Sequence, residues 1–153
     1  MDLIVWRHAE AHEAEPDEDD MQRALTPRGR KQAERMAAWL DAQLPQGTRV
    51  LSSPAVRAEQ TVLALSRKYK VRDALSPGAS VADVLETSGW PEARYPVLLV
   101  GHQPALGGMV AQLLGMPEAA CAIRKGAVWW LRHRIREGQA QTVLMAVTCP
   151  ERL

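Results

Sequence analysis

A chain of 153 residues with 19 Lys and Arg against 18 Asp and Glu carries a formal net charge of +1, which offers no electrostatic reason to bind nucleic acid or an anionic membrane. Its length suits one domain spanning residues 1–153, large enough to bury well over half of the surface its unfolded form exposes. Cys121 and Cys149 are too few and too far apart for a disulfide framework or a zinc-knuckle spacing, and no apolar run approaches the roughly 20 residues that cross a bilayer, so the sequence predicts a cytoplasmic protein with reduced thiols.

Leu3 to Trp6 is an apolar run suited to a buried strand, and it stops abruptly at Arg7 and His8. An acidic loop, EAEPDEDD at 13–20, follows. Thr26 is placed to cap a helix that opens on Pro27, which already has the helical φ and needs no N–H there. Ala33, Met36, Ala37, Leu40 and Leu44 keep helical spacing until Pro45 and Gly47 end the segment. The pattern repeats: Val50 and Leu51 form a short strand, Ser53 caps, Pro54 opens a helix, and Ala58, Val62, Leu65 and Tyr69 line its buried side.

Between residues 70 and 96 the periodicity weakens, and only a short helix near Val81–Thr87 is predicted. Val97 to Val100 is a continuous apolar run of the kind found in a parallel strand covered on both faces, and Pro104–Leu114 is a helix stopped by Gly115. The tail differs, because AVWWLRHRI and TVLMAVTCP flank EGQAQ as two strands joined by a turn. The predicted fold is therefore α/β: a mainly parallel central sheet with helices on both faces and an antiparallel C-terminal hairpin.

In an open α/β sheet, ligands bind beyond the carboxyl ends of the strands. Arg7 and His8 end the first strand, Arg57 lies in the helix after the second, and His102 follows the third. A cation near a helix N-terminus opposes the macrodipole at a cost of about 0.3–1 kcal/mol, so Arg57 makes sense beside an anion. Gly29, in the first turn of its helix, costs about 1 kcal/mol relative to alanine, which points to a close backbone approach there. Two arginine forks and helix N–H groups suit a phosphoryl group better than a single carboxylate. A histidine among arginines is kept neutral and nucleophilic near pH 7, able to carry a phosphoryl group covalently.

The motifs RHAEA at 7–11, LTPRG at 25–29, SSPAVRAEQT at 52–61 and GHQP at 101–104, in this order and each at a strand end, resemble those of the histidine phosphatase superfamily. The resemblance implies a phosphoglycerate mutase-like fold and a cofactor-independent phosphatase with His8 as the phosphorylated nucleophile. It further implies that Arg7 and Arg57 bind the phosphoryl oxygens and that His102 completes the pocket. The short length and the segment DMQRALTPRG look most like the small SixA-type phosphohistidine phosphatases, which implies a phosphorylated protein, or a small phosphate ester, as substrate. Two departures stand out. Ala9 replaces the family's usual glycine, which would crowd the backbone if φ there were positive. The insertion that carries a general acid in relatives cleaving alkyl phosphates is short here, leaving Asp83 or Glu86 as candidates. An N-phosphorylated imidazole leaves without the protonation that an alkoxide needs, so phosphohistidine or an activated aryl phosphate is the expected substrate.

Other features read more plainly. His8 and His12 stand four apart near Glu10 and Glu13, yet a strand end beside two arginines repels a divalent cation, and no metal is expected. The acidic loop is read as solvated surface, or as a gate if it borders the pocket. Arg132, Arg134 and Arg136 on the late strand, with Arg124 and Lys125 before it, read as a solvated basic patch that guards a sheet edge, without the aromatic interleaving of a nucleic-acid platform. The alternative to an enzyme is a phosphate-binding module of the same fold in which Ala9 and a missing acid leave recognition without turnover.

Overall fold

The computed structural model describes residues 1–117 and 119–153. Among them, six strands form one mixed sheet: β1 (Asp2–Arg7), β2 (Arg49–Ser52), β3 (Lys70–Val71), β4 (Val97–Gly101), β5 (Val128–Arg136) and β6 (Gln139–Thr148), in the order β3-β2-β4-β1-β5-β6. Strands β3, β2, β4 and β1 are parallel, whereas β5 and β6 are antiparallel to their neighbours. Among the described residues, four α-helices, α1 (Pro27–Gln43), α2 (Val56–Leu63), α3 (Val81–Ser88) and α4 (Ala105–Leu114), flank the sheet. No helix among the described residues is long and apolar enough to cross a membrane.

The two-residue period of the strands explains the two cores. On β1, Leu3 and Val5 join one apolar cluster with α3 and α4, while Ile4 and Trp6 join another with α1 and α2; on β4, Val97 and Leu99 divide from Leu98 and Val100 in the same way. All eight side chains are 0 % exposed. At about 1.5–3 kcal/mol for each fully buried apolar side chain, these two strands are firmly anchored, and they carry the residues that matter below.

Thr26 caps α1 as expected, its Oγ1 accepting from Gly29 N at 2.9 Å, and Leu44 closes the helix before Pro45. The second helix departs from expectation. Ser53 does cap a backbone N–H, that of Ala55 at 3.1 Å, but this belongs to the turn ahead of the helix, whose own N-cap is Ala55 without a side-chain bond. The helix ends at Leu63, so Leu65 and Tyr69 reach the core from the connection that follows it. Two further differences arise where periodicity is too short to read. Strand β3 is only two residues long, and the hairpin turn is Glu137–Gly138 rather than EGQAQ, with φ of 53° and 77°. Positive φ at both central residues matches the strand twist, and this lets β5 and β6 run on almost to the tip.

The chain leaving β1 crosses to the α1 and α2 face, whereas the chain leaving β4 crosses to the α3 and α4 face. Because β1 and β4 are neighbours, a crevice opens between their carboxyl ends at the point where the connections diverge.

Candidate active site

Three parallel strands deliver side chains into that crevice. Arg7 is the last residue of β1 and is followed by His8, Gly101 is the last of β4 and is followed by His102, and Ser53 follows β2. Backbone bonds continue past the strand ends, from His8 N to Gly101 O at 3.1 Å and from Ser53 N to Val100 O at 2.9 Å. The imidazoles of His8 and His102 lie 5.1 Å apart between centroids, tilted by 51°. Both residues are buried but not sealed, at 6 % and 5 % exposure.

His8 Nδ1 lies 2.7 Å from the carbonyl oxygen of Ala9. A carbonyl only accepts, so we assign the proton to Nδ1, which leaves the lone pair on Nε2. His102 Nε2 is 2.7 Å from Ser53 Oγ, which itself accepts from Ala55 N. When the Ser53 hydroxyl donates to Nε2, His102 Nδ1 becomes an N–H donor. Nδ1 is buried without a hydrogen-bond partner, and so are Arg7 Nε and Arg57 Nε. These three nitrogens are the buried side-chain atoms found without partners among the described residues. Each such group costs about 1–3 kcal/mol if nothing satisfies it, and all three belong to residues that the sequence placed in the site.

Burial, followed by the charges of Arg57, Arg7 and Arg23, lowers His8 to about 4 against an opposing bond from the Ala9 carbonyl. Burial, then His8 and Arg57, lowers His102 to about 3. Both rings are therefore neutral at pH 7. The sign of the linkage follows: with folded values depressed, the stabilisation is complete above the unfolded value near 6.5 and is lost as pH falls toward 4. Thermal unfolding followed from pH 7.5 to 5, above the range of most carboxylates, is expected to show a falling midpoint, and His8→Gln a shallower fall. Identical slopes in the two proteins would contradict the burial of a neutral ring.

Arg57 is 3 % exposed in the first turn of α2. Its Nη1 donates to Asp20 O at 2.8 Å and its Nη2 to Asp20 Oδ2 at 3.0 Å, while Arg23 Nε donates to Asp20 Oδ1 at 2.9 Å. Thus the anion that the sequence calls for beside this helix start is supplied in part by the chain itself, from the last residue of the acidic loop. Burial works against the charged form of Asp20, but bonds from Arg23 and Arg57 hold its carboxyl below the ordinary value. Arg7 points its Nη1 at Ile123 O, 2.8 Å away. Thr61 links the parts, accepting from Ala9 N at 3.1 Å and donating to Arg57 O at 2.7 Å.

Asp20, Arg23, Ser53 and Thr61 were not identified as site residues from the sequence. Their motifs were visible, in DMQRALTPRG and SSPAVRAEQT, but an ion pair across 37 residues leaves no local periodicity. Ala9, by contrast, is free of the strain considered for it: it is not among the residues of positive φ, and its methyl packs against Ala11, Leu25 and Ala33. Gly29 behaves as its position demanded, since a Cβ there would overlap the carbonyl oxygen of Glu10. The acid candidates make no hydrogen bond to the site. Asp83 is exposed and closes the capping box of α3 with Ser80, Glu86 is exposed one turn on, and neither bonds to a residue of the site. Among the described residues, Asp20 is the carboxylate that pairs with a site arginine, Arg57. A cavity of about 570 Å³ lined by Thr48–Leu51 and Arg67–Lys70 sits at the amino end of β2, opposite the histidines.

Residues 3–78 match the family model of the histidine phosphatase superfamily, branch 1. The phosphohistidine phosphatase SixA homolog of Haemophilus influenzae is 34% identical over 131 residues, which covers 75% of this chain and 78% of the relative. The chain belongs to the histidine phosphatase superfamily. A second relative, phosphohistidine phosphatase SixA of Escherichia coli, is 34% identical over 124 residues, 74% of either chain. A solved structure of the protein histidine phosphatase SixA complexed with tungstate superposes with a TM-score of 0.76 at 27% identity, covering 99% of both chains. The phosphoglycerate mutase-like sheet expected of a histidine phosphatase is the one described above, and the strand-end cluster is where the superfamily's motifs converge in this chain.

Proposed function

We propose that this protein is a cofactor-independent phosphatase, acting as one domain over residues 1–153, that removes the phosphoryl group from phosphohistidine on a protein through a covalent intermediate on His8. The observation that carries this reading is the pair of neutral imidazoles, His8 and His102, 5.1 Å apart at two strand ends beside the guanidinium donors of Arg7 and Arg57. Donors gathered in this way suit the non-bridging oxygens of one phosphoryl group.

The His8 Nε2 lone pair attacks phosphorus as the P–N bond to the substrate imidazole breaks; that ring, protonated on its other nitrogen, takes the bonding pair and leaves as neutral imidazole. Water then displaces His8 from phosphorus, restoring the ring and releasing inorganic phosphate. Arg7 and Arg57 hold the oxygens, with Arg57 oriented by Asp20, and His102 donates from Nδ1 as charge develops. No step requires Asp83 or Glu86 as an acid, because an imidazole leaves from a labile P–N bond without the proton an alkoxide needs. Relatives named as phosphatases favour turnover over the binding-only alternative, and the tungstate held by a SixA structure is a tetrahedral oxyanion like phosphate.

The test is a substrate comparison under single conditions. Hydrolysis of a phosphohistidine peptide is expected to exceed that of a sugar phosphate by about 10²-fold or more in kcat/KM, the scale of one missing general acid. Faster turnover of the sugar phosphate overturns the substrate assignment.

A further inference from the structure

One exposed side of α1 carries cations without acidic partners. Arg28, Lys31 and Arg35 recur at spacings of three and four, which places them on one helix face, and all three are exposed. Arg124 and Lys125, also exposed, come alongside from the segment ahead of β5. Two shallow clefts join here, of about 260 and 270 Å³, sharing Arg28, Gln32 and Glu151. None of the five cations forms a salt bridge among the described residues.

The groove reaches the rim of the histidine site. Its inner cleft is lined by Glu10 and Lys125, and the neighbouring Gly126 N donates to His8 O at 2.9 Å. Its two carboxylates are engaged in hydrogen bonds, Glu10 with the Thr26 hydroxyl at 2.7 Å and Glu151 with the Gln32 amide at 3.5 Å. On the other side of the β1 end, the acidic loop is tied to α2 through Asp20 and Arg57. The acidic loop thus meets the site through Asp20, whose charge Arg57 and Arg23 offset, and the unpaired charge beside the site is the cationic groove of α1.

The chemistry of the cationic half selects its partner. The joined clefts are lined by charged and polar residues with Pro150 the one apolar side chain, unlike the mostly apolar pockets that hold small molecules. No aromatic side chain lines either one, so bases have nothing to stack on. Five long side chains on an open groove suit an extended or helical protein surface of opposite charge. We propose that this groove docks the substrate protein, an acidic segment beside its phosphohistidine lying across Arg28, Lys31, Arg35, Arg124 and Lys125. The proposal rests on the phosphatase reading and assigns its specificity to charge flanking the scissile bond.

Three synthetic peptides test it, each with one phosphohistidine flanked on one side by Glu, Gln or Lys runs. With the parent protein, kcat/KM is expected to fall from Glu to Gln to Lys by roughly tenfold in total at low salt, and to level out at high salt. In the double variant Lys31→Glu, Arg35→Glu the order is expected to reverse, while turnover of p-nitrophenyl phosphate, which is too small to reach the groove, stays within about twofold. Equal kcat/KM for the three peptides, or an order that survives the double variant, overturns the docking proposal. Fluorescence anisotropy of the same peptides without phosphate separates the two readings: a Glu-over-Lys preference that the double variant abolishes upholds the groove even if nothing is hydrolysed, and its absence counts against the groove alone.

Discussion

His8→Ala is expected to lower turnover of p-nitrophenyl phosphate by roughly 10⁴-fold or more, as loss of a covalent nucleophile does elsewhere. The physical reason is specific to this ring. Its Nδ1 proton is held by the Ala9 carbonyl at 2.7 Å, so only Nε2 carries a lone pair, and burial beside Arg57 and Arg7 keeps it unprotonated. No other imidazole in the crevice is equivalent, since His102 has its Nε2 committed to Ser53. Rapid-quench experiments with labelled aryl phosphate are expected to trap an acid-labile, base-stable phosphoenzyme in the parent protein and none in the variant. The arginines and His102 remain in the variant to bind phosphate. Burst labelling that persists in His8→Ala would assign the nucleophile elsewhere, and phosphate binding without labelling of the parent would favour the recognition module.

Gly29→Ala is expected to destabilise the fold by about 1–3 kcal/mol despite alanine's better helix propensity. The added methyl overlaps the Glu10 carbonyl oxygen, and a backbone atom cannot rotate away as a long side chain would. That carbonyl also accepts from Thr26 N at 3.1 Å, and Glu10 N donates to Gln32 Oε1 at 3.0 Å, so a displaced Glu10 drags the His8–Ala11 segment with it. Denaturant unfolding measures the first effect, and kcat/KM on an aryl phosphate the second, which should fall together with stability. A variant as stable as the parent would mean that α1 and the segment after β1 shift apart freely, contrary to the packing of Ala9, Ala11, Leu25 and Ala33 between them.

The elements that were legible in the sequence are those whose signal is local. Leu3–Trp6 and Val97–Val100 are apolar without interruption because they are covered on both faces, and Thr26 with Pro27 marks a helix start by bonds made within one turn. The four strand-end residues Arg7, His8, Arg57 and His102 were legible for the same reason, since each follows a readable strand or opens a readable helix. Strand β3 was not, because two residues that depend on pairing with Leu51 and Ser52 have no period of their own. The Glu137–Gly138 turn was hidden by the polar residues that continue into β6, a solvent-facing edge where alternation fades.

By itself, then, the sequence determined an α/β sheet, the strands that carry chemistry and the residue types gathered at their ends, because helix and strand periods and cap residues act over a few positions. Tertiary structure alone decided the partners: that Asp20 orients Arg57, that Ser53 holds His102, that Glu10 lies against Gly29, and that the cations of α1 form a groove with Arg124 and Lys125. Each of these joins residues at least 19 positions apart, and contacts of that kind are set by how the strands stack and where their connections diverge, which no local pattern encodes.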